Sequence, residues 1–327
     1  GPIEGRGRDG AEIAWAGSQP RAVAGVAGLR ALRRRLAFVR QAARVQGALA
    51  PLRTPPAGSA LQRALEQRPQ LVGAVVWPYV CAEWSASRRL QHLVEHFQAV
   101  GRTPVLEVAV GDAFELLDLG ELAPGLRMVL DQPAWFMREG PLVLNLFEGE
   151  TRLYSLAFSL GSVDGRPAAY VGAVQGVTIE GILERYRDLT KVLHGLRPRD
   201  FLVEVFRMLC RGIGVKDIVA VADASRVHRS AYFGEAKANA LQIDYDEIWR
   251  DRGGAVHDAQ FFALPVEAPV RDLEQVPSKK RALYRRRYEL LAVLEAQVAA
   301  ACTLRTGARA SEAAVSAQGF GHVAQHA

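Results

Sequence analysis

The first hundred residues carry apolar positions at spacings of three and four, the period of an amphipathic helix. Residues 22–52 combine this pattern with a basic outer face, and residues 60–66 repeat it over a shorter length. Ser85 is typical of a helix N-cap and opens a third amphipathic segment. The pattern therefore predicts a helical layer over residues 21–100.

After Gly101 the period of the apolar positions changes from about 3.6 residues to about 2, which predicts strands. Residues 154–160 alternate strictly between large apolar and small side chains, as in an antiparallel strand with one face in the core. The predicted strands, separated by turn residues, are 105–110, 127–130, 142–147, 152–160 and 168–174. This arrangement predicts an antiparallel meander.

The remaining chain alternates helix and strand. Helices are predicted over 181–193, from Pro198, where a missing N–H costs nothing, and over 278–302. Short apolar runs at 218–221 and 261–264 predict buried strands. We therefore expect an α+β domain over residues 101–303, with a mixed, largely antiparallel sheet closed by a long C-terminal helix. The tail, 304–327, is rich in Ala, Ser and Gly and is predicted to be disordered.

Composition narrows the class of protein. Apolar residues make up 49% of 327 residues, enough for a substantial core, and the formal net charge is +6. Three separated cysteines argue against a disulfide framework and favour a reducing compartment. No apolar run approaches the roughly 20 residues of a membrane helix, so no transmembrane segment is predicted. We expect a cytoplasmic protein, free or peripheral to the inner membrane. Residues 1–20 open with GPIEGR and are interpreted as a tag remnant and flexible lead.

Residues 191–200, KVLHGLRPRD, gather cationic and titratable side chains where one helix ends and another begins. Histidine is the usual general base at neutral pH, so His194 is a candidate base, or it caps the preceding helix. Lys191 is likewise a candidate to bind the ligand or a cap for the same helix. Arg197 and Arg199 flank Pro198 and have the planar geometry that binds phosphate or carboxylate, unless they are simply solvated. The segment is a candidate site for an anionic or phosphate-bearing ligand.

Asp223, His228 and Arg229 follow the predicted strand 218–221, at the carboxyl end where open sheets place their sites. Asp223 is a candidate to orient His228 as a second general base, provided that the loop brings the two together. Arg229 adds a positive charge for an anionic ligand.

A basic segment opens the last helix, where positive charge opposes the helix dipole. Internal carboxylates are one way to compensate it, and an anionic partner, either acidic lipid or RNA, is the other. The basic residues are Lys279, Lys280, Arg281, Arg285, Arg286 and Arg287.

His92, Glu95 and His96 spell HxxEH on the third predicted helix, a spacing that suits a shared metal ion. No third ligand is identifiable and the same helix has an ordinary apolar stripe. No metal site is therefore predicted.

Four of the segments that stand out in the chain are, in order, YVGAVQG (170–176), TKVLHGLRPRDFL (190–202), IVAVADASRVHRS (218–230) and SKKRALYRRRYELL (278–291). These segments and their order resemble the VirK/YbjX family, a domain of unknown function in Gram-negative bacteria, over about residues 71–298. That resemblance implies links to virulence, envelope remodelling, antimicrobial peptide resistance and biosynthesis, without a settled activity.

The order of elements also resembles the GCN5-related acyltransferase fold, in which two central strands splay around the arm of a thioester donor. That resemblance would place Gln175 and Gly176 at the splay and Arg197 and Arg199 at the donor's phosphate end. The usual Gly-rich phosphate loop is missing and an extra helix, 181–193, intervenes. The departure argues against binding of coenzyme A through that loop. The donors that the resemblance leaves open are an acyl group on a carrier protein and acyl-coenzyme A.

Two functional hypotheses follow. The first is an acyl or aminoacyl transferase in which the Gln175 region holds an activated donor and His194 or His228 deprotonates the acceptor. The second is a non-catalytic protein whose basic helix binds acidic lipid or RNA.

Overall fold

The alternating middle of the chain forms one eight-stranded sheet. The computed structural model describes residues 26–236 and 243–321. The strands are β1 (Ala113–Asp118), β2 (Leu126–Asp131), β3 (Leu142–Glu148), β4 (Thr151–Val163), β5 (Arg166–Gly176), β6 (Asp217–Val221), β7 (Ala255–Val256) and β8 (Phe261–Leu264). Their spatial order is β1-β2-β3-β4-β5-β6-β8-β7, and neighbours are antiparallel except for the parallel pair β5–β6.

Helices surround this sheet. They are α1 (Val26–Arg44), α2 (Gln46–Arg53), α3 (Ala60–Gln67), α4 (Ala86–Gly101), α5 (Ile182–Val192), α6 (Pro198–Gly212), α7 (Tyr245–Asp251) and α8 (Ser278–Gly321). Phe158 of β4 packs its ring 5.0 Å from that of Phe206 in α6, whereas the next residue, Ser159, contacts His92 of α4. Because successive side chains of a strand point to opposite faces, α4 and α6 cover opposite faces of the sheet.

The α+β class, the mixed and largely antiparallel sheet and the long last helix are confirmed. Ser85 is the N-cap of α4, its hydroxyl accepting the N–H of Arg88 at 3.2 Å. The predicted helix 22–52 is divided at Val45 into α1 and α2.

The predicted strand at 105–110 is wrong. Pro104–Leu106 is a short 3-10 helix, and the first strand begins later, at Ala113. Val105 and Leu106 are buried, so their apolar character reflects core packing rather than pairing in the sheet. Pro104 also removes one of the N–H groups that a paired strand would need.

The last helix continues to Gly321, across much of the segment that composition predicted to be a disordered tail. Arg305 and Arg309 each donate a hydrogen bond to the carbonyl of Glu107, which fixes the helix beyond residue 304. Alanine, the strongest helix former, is abundant there. Within the described chain, α8 is the one helix with the length and apolar content of a membrane span over Ser278–Glu312. Helices of soluble cores meet the same criterion, so this is weak evidence.

Candidate functional site

A cleft opens where β5 extends beyond the end of its parallel neighbour β6. β5 pairs with β6 only over residues 168–171, because β6 ends at Val221, and residues 172–176 of β5 continue past it as its free end. The resulting cleft has a volume of about 740 Å³ and is bounded by this end of β5, the start of α5 and the loop after β6. The carboxyl ends of parallel strands lie at one edge of a sheet, which is where open sheets bind ligands.

A histidine and a carboxylate meet in this cleft. His228 Nε2 lies 2.6 Å from Glu139 Oε1, and both residues line the cleft. The Glu139 side chain is 6% exposed and that of His228 is 25% exposed. The contact has the geometry by which a buried carboxylate fixes the orientation and tautomer of an imidazole.

Each member of the pair keeps one buried polar atom that has no hydrogen bond to any residue in the described part of the chain. These atoms are His228 Nδ1 and Glu139 Oε2. With Nε2–H donated to Glu139, the lone pair of Nδ1 is the site that can accept a proton. The pair thus has the parts of a general base and its orienting carboxylate.

Backbone packing at Gly172 brings Glu139 to the cleft. A Cβ at residue 172 would lie 1.9 Å from the Glu139 carbonyl oxygen, so only glycine allows this approach. His228 belongs to Val227–Arg229, a 3-10 helix of one turn that follows β6. Its ring centroid lies 4.8 Å from that of Phe233. The two halves of the pair therefore come from distant segments that meet over β5.

The free end of β5 has a backbone edge that no strand pairs with among the described residues. Tyr245 of α7 occupies part of it, because its hydroxyl donates to the carbonyl of Val174 at 3.0 Å and accepts the Val174 N–H at 3.1 Å. Strand residues two apart present their backbone groups to the same side, so Gly176 faces the cleft as Val174 does. An extended ligand can pair with this edge as an added strand would.

Two tyrosines form the wall beside Gly176. The rings of Tyr154 and Tyr186 lie 5.1 Å apart, and the Tyr186 hydroxyl donates to the Leu153 carbonyl at 2.7 Å. Burial raises the pKa of both tyrosines, so both hydroxyls stay protonated at neutral pH. A side chain at residue 176 would collide with both rings, which explains glycine there.

The structure brings together three of the residues singled out from sequence: Gln175, Gly176 and His228 all line the cleft. Asp223 follows β6 as expected but contacts other groups. Its carboxylate forms ion pairs with Arg226, at 3.2 Å, and with Arg229. The partner of His228 is Glu139, a residue that the sequence analysis did not select.

The remaining candidates of segment 191–200 lie outside the cleft lining. Arg197 and Arg199 both contact the buried carboxylate of Asp200, at 2.8 and 3.2 Å. The hydrogen bond to Asp200 raises the pKa of Arg197. Lys191 is exposed and forms an ion pair with Asp188 at 3.0 Å.

His194 occupies the turn that ends α5, with a positive φ of 52°. Its N–H bonds the Lys191 carbonyl at 3.2 Å, and its carbonyl accepts a hydrogen bond from Arg287 at 3.0 Å. Its backbone thus joins the end of α5 to the start of α8.

The basic segment of α8 is mostly exposed. Arg281 donates to the carbonyls of Val276 and Glu274, and Arg287 stacks 4.3 Å from the Tyr284 ring centroid. The other four are exposed, and within the described chain they have no ion pair or hydrogen bond; they are Lys279, Lys280, Arg285 and Arg286.

The sequence carried one usable signal for the missed residues. Gly172 interrupts the predicted strand 168–174, and a glycine inside a strand often marks a close backbone approach. The identity of the approaching segment, around Glu139, and the role of Tyr245 had no local signal.

Comparison with known proteins places the chain in a family. The sequence profile described as "Protein of unknown function (DUF535)" matches residues 27–300. The "Uncharacterized protein YbjX" of Escherichia coli (strain K12) is 26% identical over 253 residues, covering 72% of this chain and 73% of that protein. An "Uncharacterized protein" of Haemophilus influenzae is 33% identical over 178 residues, or 54% of this chain and 57% of the relative.

A third relative carries a different description. The "Membrane protein LapB" of Mannheimia haemolytica is 26% identical over 162 residues, covering 48% of this chain and 68% of that protein. No solved structure matches the chain, so the resemblance to the GCN5-related acyltransferase fold is not confirmed by a structural neighbour. The match over residues 27–300 and the YbjX relatives agree with the resemblance found in the sequence. The chain belongs to the DUF535 family of proteins of unknown function, the VirK/YbjX family of the sequence resemblance.

Proposed function

We propose that the chain is an acyl or aminoacyl transferase whose cleft binds an activated donor, such as a thioester, along the free end of β5. The observation that carries the proposal is the His228–Glu139 pair at 2.6 Å in a cleft beside an unpaired strand edge. Pantetheine and peptide arms are extended and rich in amides, which suits hydrogen bonding to the backbone of Gly176, since Tyr245 already bonds both backbone groups of Val174.

In this proposal His228 acts as the base and Glu139 orients it. His228 Nδ1 is buried in the free protein, so the proposal requires that the acceptor displace the side chains around it. The acceptor amine or hydroxyl then attacks the thioester carbonyl, its proton passes to His228 Nδ1, and the C–S bond breaks. The proton then leaves on the departing thiolate. The gain comes from a positioned base, a contribution of about 10²–10⁴ in rate. Arg197 and Arg199 have no role here because Asp200 already pairs with them.

The first test is native mass spectrometry of the chain with coenzyme A, short- and long-chain acyl-coenzyme A and acyl carrier protein at two salt concentrations. The donor that forms a stoichiometric, salt-tolerant complex is then incubated with a mixture of small amines and hydroxyl compounds, and products are identified by mass. We expect His228→Ala to keep donor binding and to lower turnover by about 10²–10⁴-fold. Glu139→Gln should lower turnover with KM for the donor little changed.

Two further histidine variants make this test specific. His257→Ala changes an exposed histidine outside the cleft and should leave turnover unchanged. His194→Ala replaces the other candidate base. Loss of turnover in His194→Ala with an active His228→Ala would contradict the assignment, and the absence of any donor complex would contradict the proposed activity itself.

A second candidate function, binding of an anionic partner without catalysis, is favoured by the unpaired cations at the start of α8. If RNA is that partner, the double variant Arg285→Glu and Arg286→Glu should bind a tRNA mixture at least about tenfold more weakly than the wild type at low salt. The wild-type affinity should also fall as salt rises. Equal tRNA binding by variant and wild type would exclude this role for α8.

A further inference from the structure

Helix α1 has two apolar faces, and only one of them packs on the part of the chain that the structure describes. Phe38 and Ala42 face the core, and Ala42 is 6% exposed. A second stripe, at spacings of three and four, points away from the described part of the chain. This outer stripe consists of Leu29, Leu32, Leu36 and Val39, which are 62%, 53%, 48% and 62% exposed.

Arginines border the outer stripe on both sides. At about 3.6 residues per turn, Arg33 and Arg40 lie along one edge of the stripe and Arg35 lies along the other. In all, α1 contains six arginines and no acidic residue. An exposed aliphatic stripe between rows of cations is the pattern of a helix that lies in a membrane interface.

Charge distinguishes the two simplest partners for the outer stripe, which are a second copy of the chain and an anionic bilayer. A second copy packed stripe to stripe would bring the bordering arginines of both helices together, and α1 has no carboxylate to neutralise them. An anionic bilayer surface supplies phosphate groups for the arginines and acyl chains for the leucines. The long arginine side chains can reach the headgroups while the leucines enter the acyl boundary.

We propose that the outer stripe of α1 binds the surface of an anionic lipid bilayer, with Leu29, Leu32, Leu36 and Val39 entering it by about 5–10 Å. The helix lies in the plane of the interface and does not cross the bilayer. This binding is separate from the chemistry of the cleft and does not depend on the proposed transferase activity.

The experiment is co-sedimentation of the full chain with vesicles of phosphatidylcholine alone or with about a third phosphatidylglycerol. We expect wild-type protein to bind the anionic vesicles and to bind the neutral vesicles far more weakly. The double variants Leu29→Gln/Leu36→Gln and Arg33→Glu/Arg40→Glu should each bind at least about tenfold more weakly. Glutamine and glutamate are good helix formers, so circular dichroism should be unchanged.

The matched control is Val293→Gln/Leu304→Gln, which changes two exposed apolar residues of another helix, α8. It should bind anionic vesicles as the wild type does. If the α8 control lost vesicle binding while the α1 variants still bound, the membrane contact would lie on α8 and the proposal would be overturned. Failure of the wild type to bind would overturn it as well, as would a dimer, measured by light scattering, that only the α1 variants dissociate.

Discussion

At the scale of single residues, the candidate site depends on one glycine. Gly172 lies at the irregularity in the pairing of β4 with β5, and the Glu139 carbonyl occupies the place where a Cβ would be. The Glu139 side chain reaches His228 only because its backbone comes this close. The glycine thereby links the sheet to the chemistry of the cleft.

The variant Gly172→Ala should displace the Glu139 segment. We expect the free energy of unfolding to fall by about 1–3 kcal/mol, the usual cost of overpacking. Turnover in the assay described above should fall at least as far as in Glu139→Gln. Urea unfolding followed by circular dichroism measures the first effect.

The matched change Gly47→Ala adds the same methyl group in helix α2, where nothing lies within 4 Å of the new Cβ. It should be neutral or slightly stabilising. If Gly172→Ala proves as stable and as active as Gly47→Ala, the close approach of Glu139 does not hold in solution.

At the scale of elements, two histidines attach α4 to β4. His92 Nε2 lies 2.7 Å from Ser159 Oγ, and His96 Nδ1 accepts the Leu160 N–H at 2.9 Å. Both rings are buried, so the HxxEH spacing serves helix packing in this structure. Burial lowers the pKa of His96 to about 3, and burial, with Arg88 and His96 nearby, lowers the pKa of His92 well below its ordinary value.

Because of these lowered pKa values, the free energy of unfolding should depend on pH. As pH falls below about 6.5, the unfolded chain takes up protons that the folded chain does not, so the free energy of unfolding decreases. For His96 the loss continues down to its folded pKa of about 3. The contribution of His96 alone to this loss of unfolding free energy should reach about 2 kcal/mol at pH 5. Urea unfolding at pH 7 and pH 5 measures it.

Two variants identify the group responsible. His96→Asn keeps an acceptor for the Leu160 N–H but cannot titrate, so its loss of stability between pH 7 and pH 5 should be smaller by about 2 kcal/mol. His257→Gln changes an exposed histidine and should behave as the wild type. An unchanged acid dependence in His96→Asn would show that other groups cause it.

At the scale of the whole molecule, the charges fall into two groups. Around α6 the arginines form internal ion pairs: Asp200 pairs with Arg197 and Arg199, and Glu204 pairs with Arg207 at 3.0 Å. On α1 and at the start of α8 many cations are exposed instead. The net charge of +6 is therefore carried largely by outer helices, where it is available to anionic partners.

The sequence by itself determined the kind of each main element. Apolar spacing predicted α4, α5 and α6 and the strands β2 to β5 within a few residues, because periodicity reports which face of a segment is buried. Sequence segments such as IVAVADASRVHRS, taken in their order along the chain, were enough to indicate the family. The predicted strand 218–221 also put His228 at the carboxyl end of a strand, whereas Gln175 was selected only by resemblance to the acyltransferase fold.

Only the tertiary structure decided which groups meet. Glu139 and His228 lie far apart in the chain, and nothing near either residue specifies the other. Arg197 and Arg199 look the same in sequence whether a ligand or Asp200 neutralises them, and α1 looks the same whether its second apolar stripe is packed or exposed. The physical reason is that periodicity is set by neighbours along a helix or strand, whereas ion pairing and exposure are set by distances across the fold.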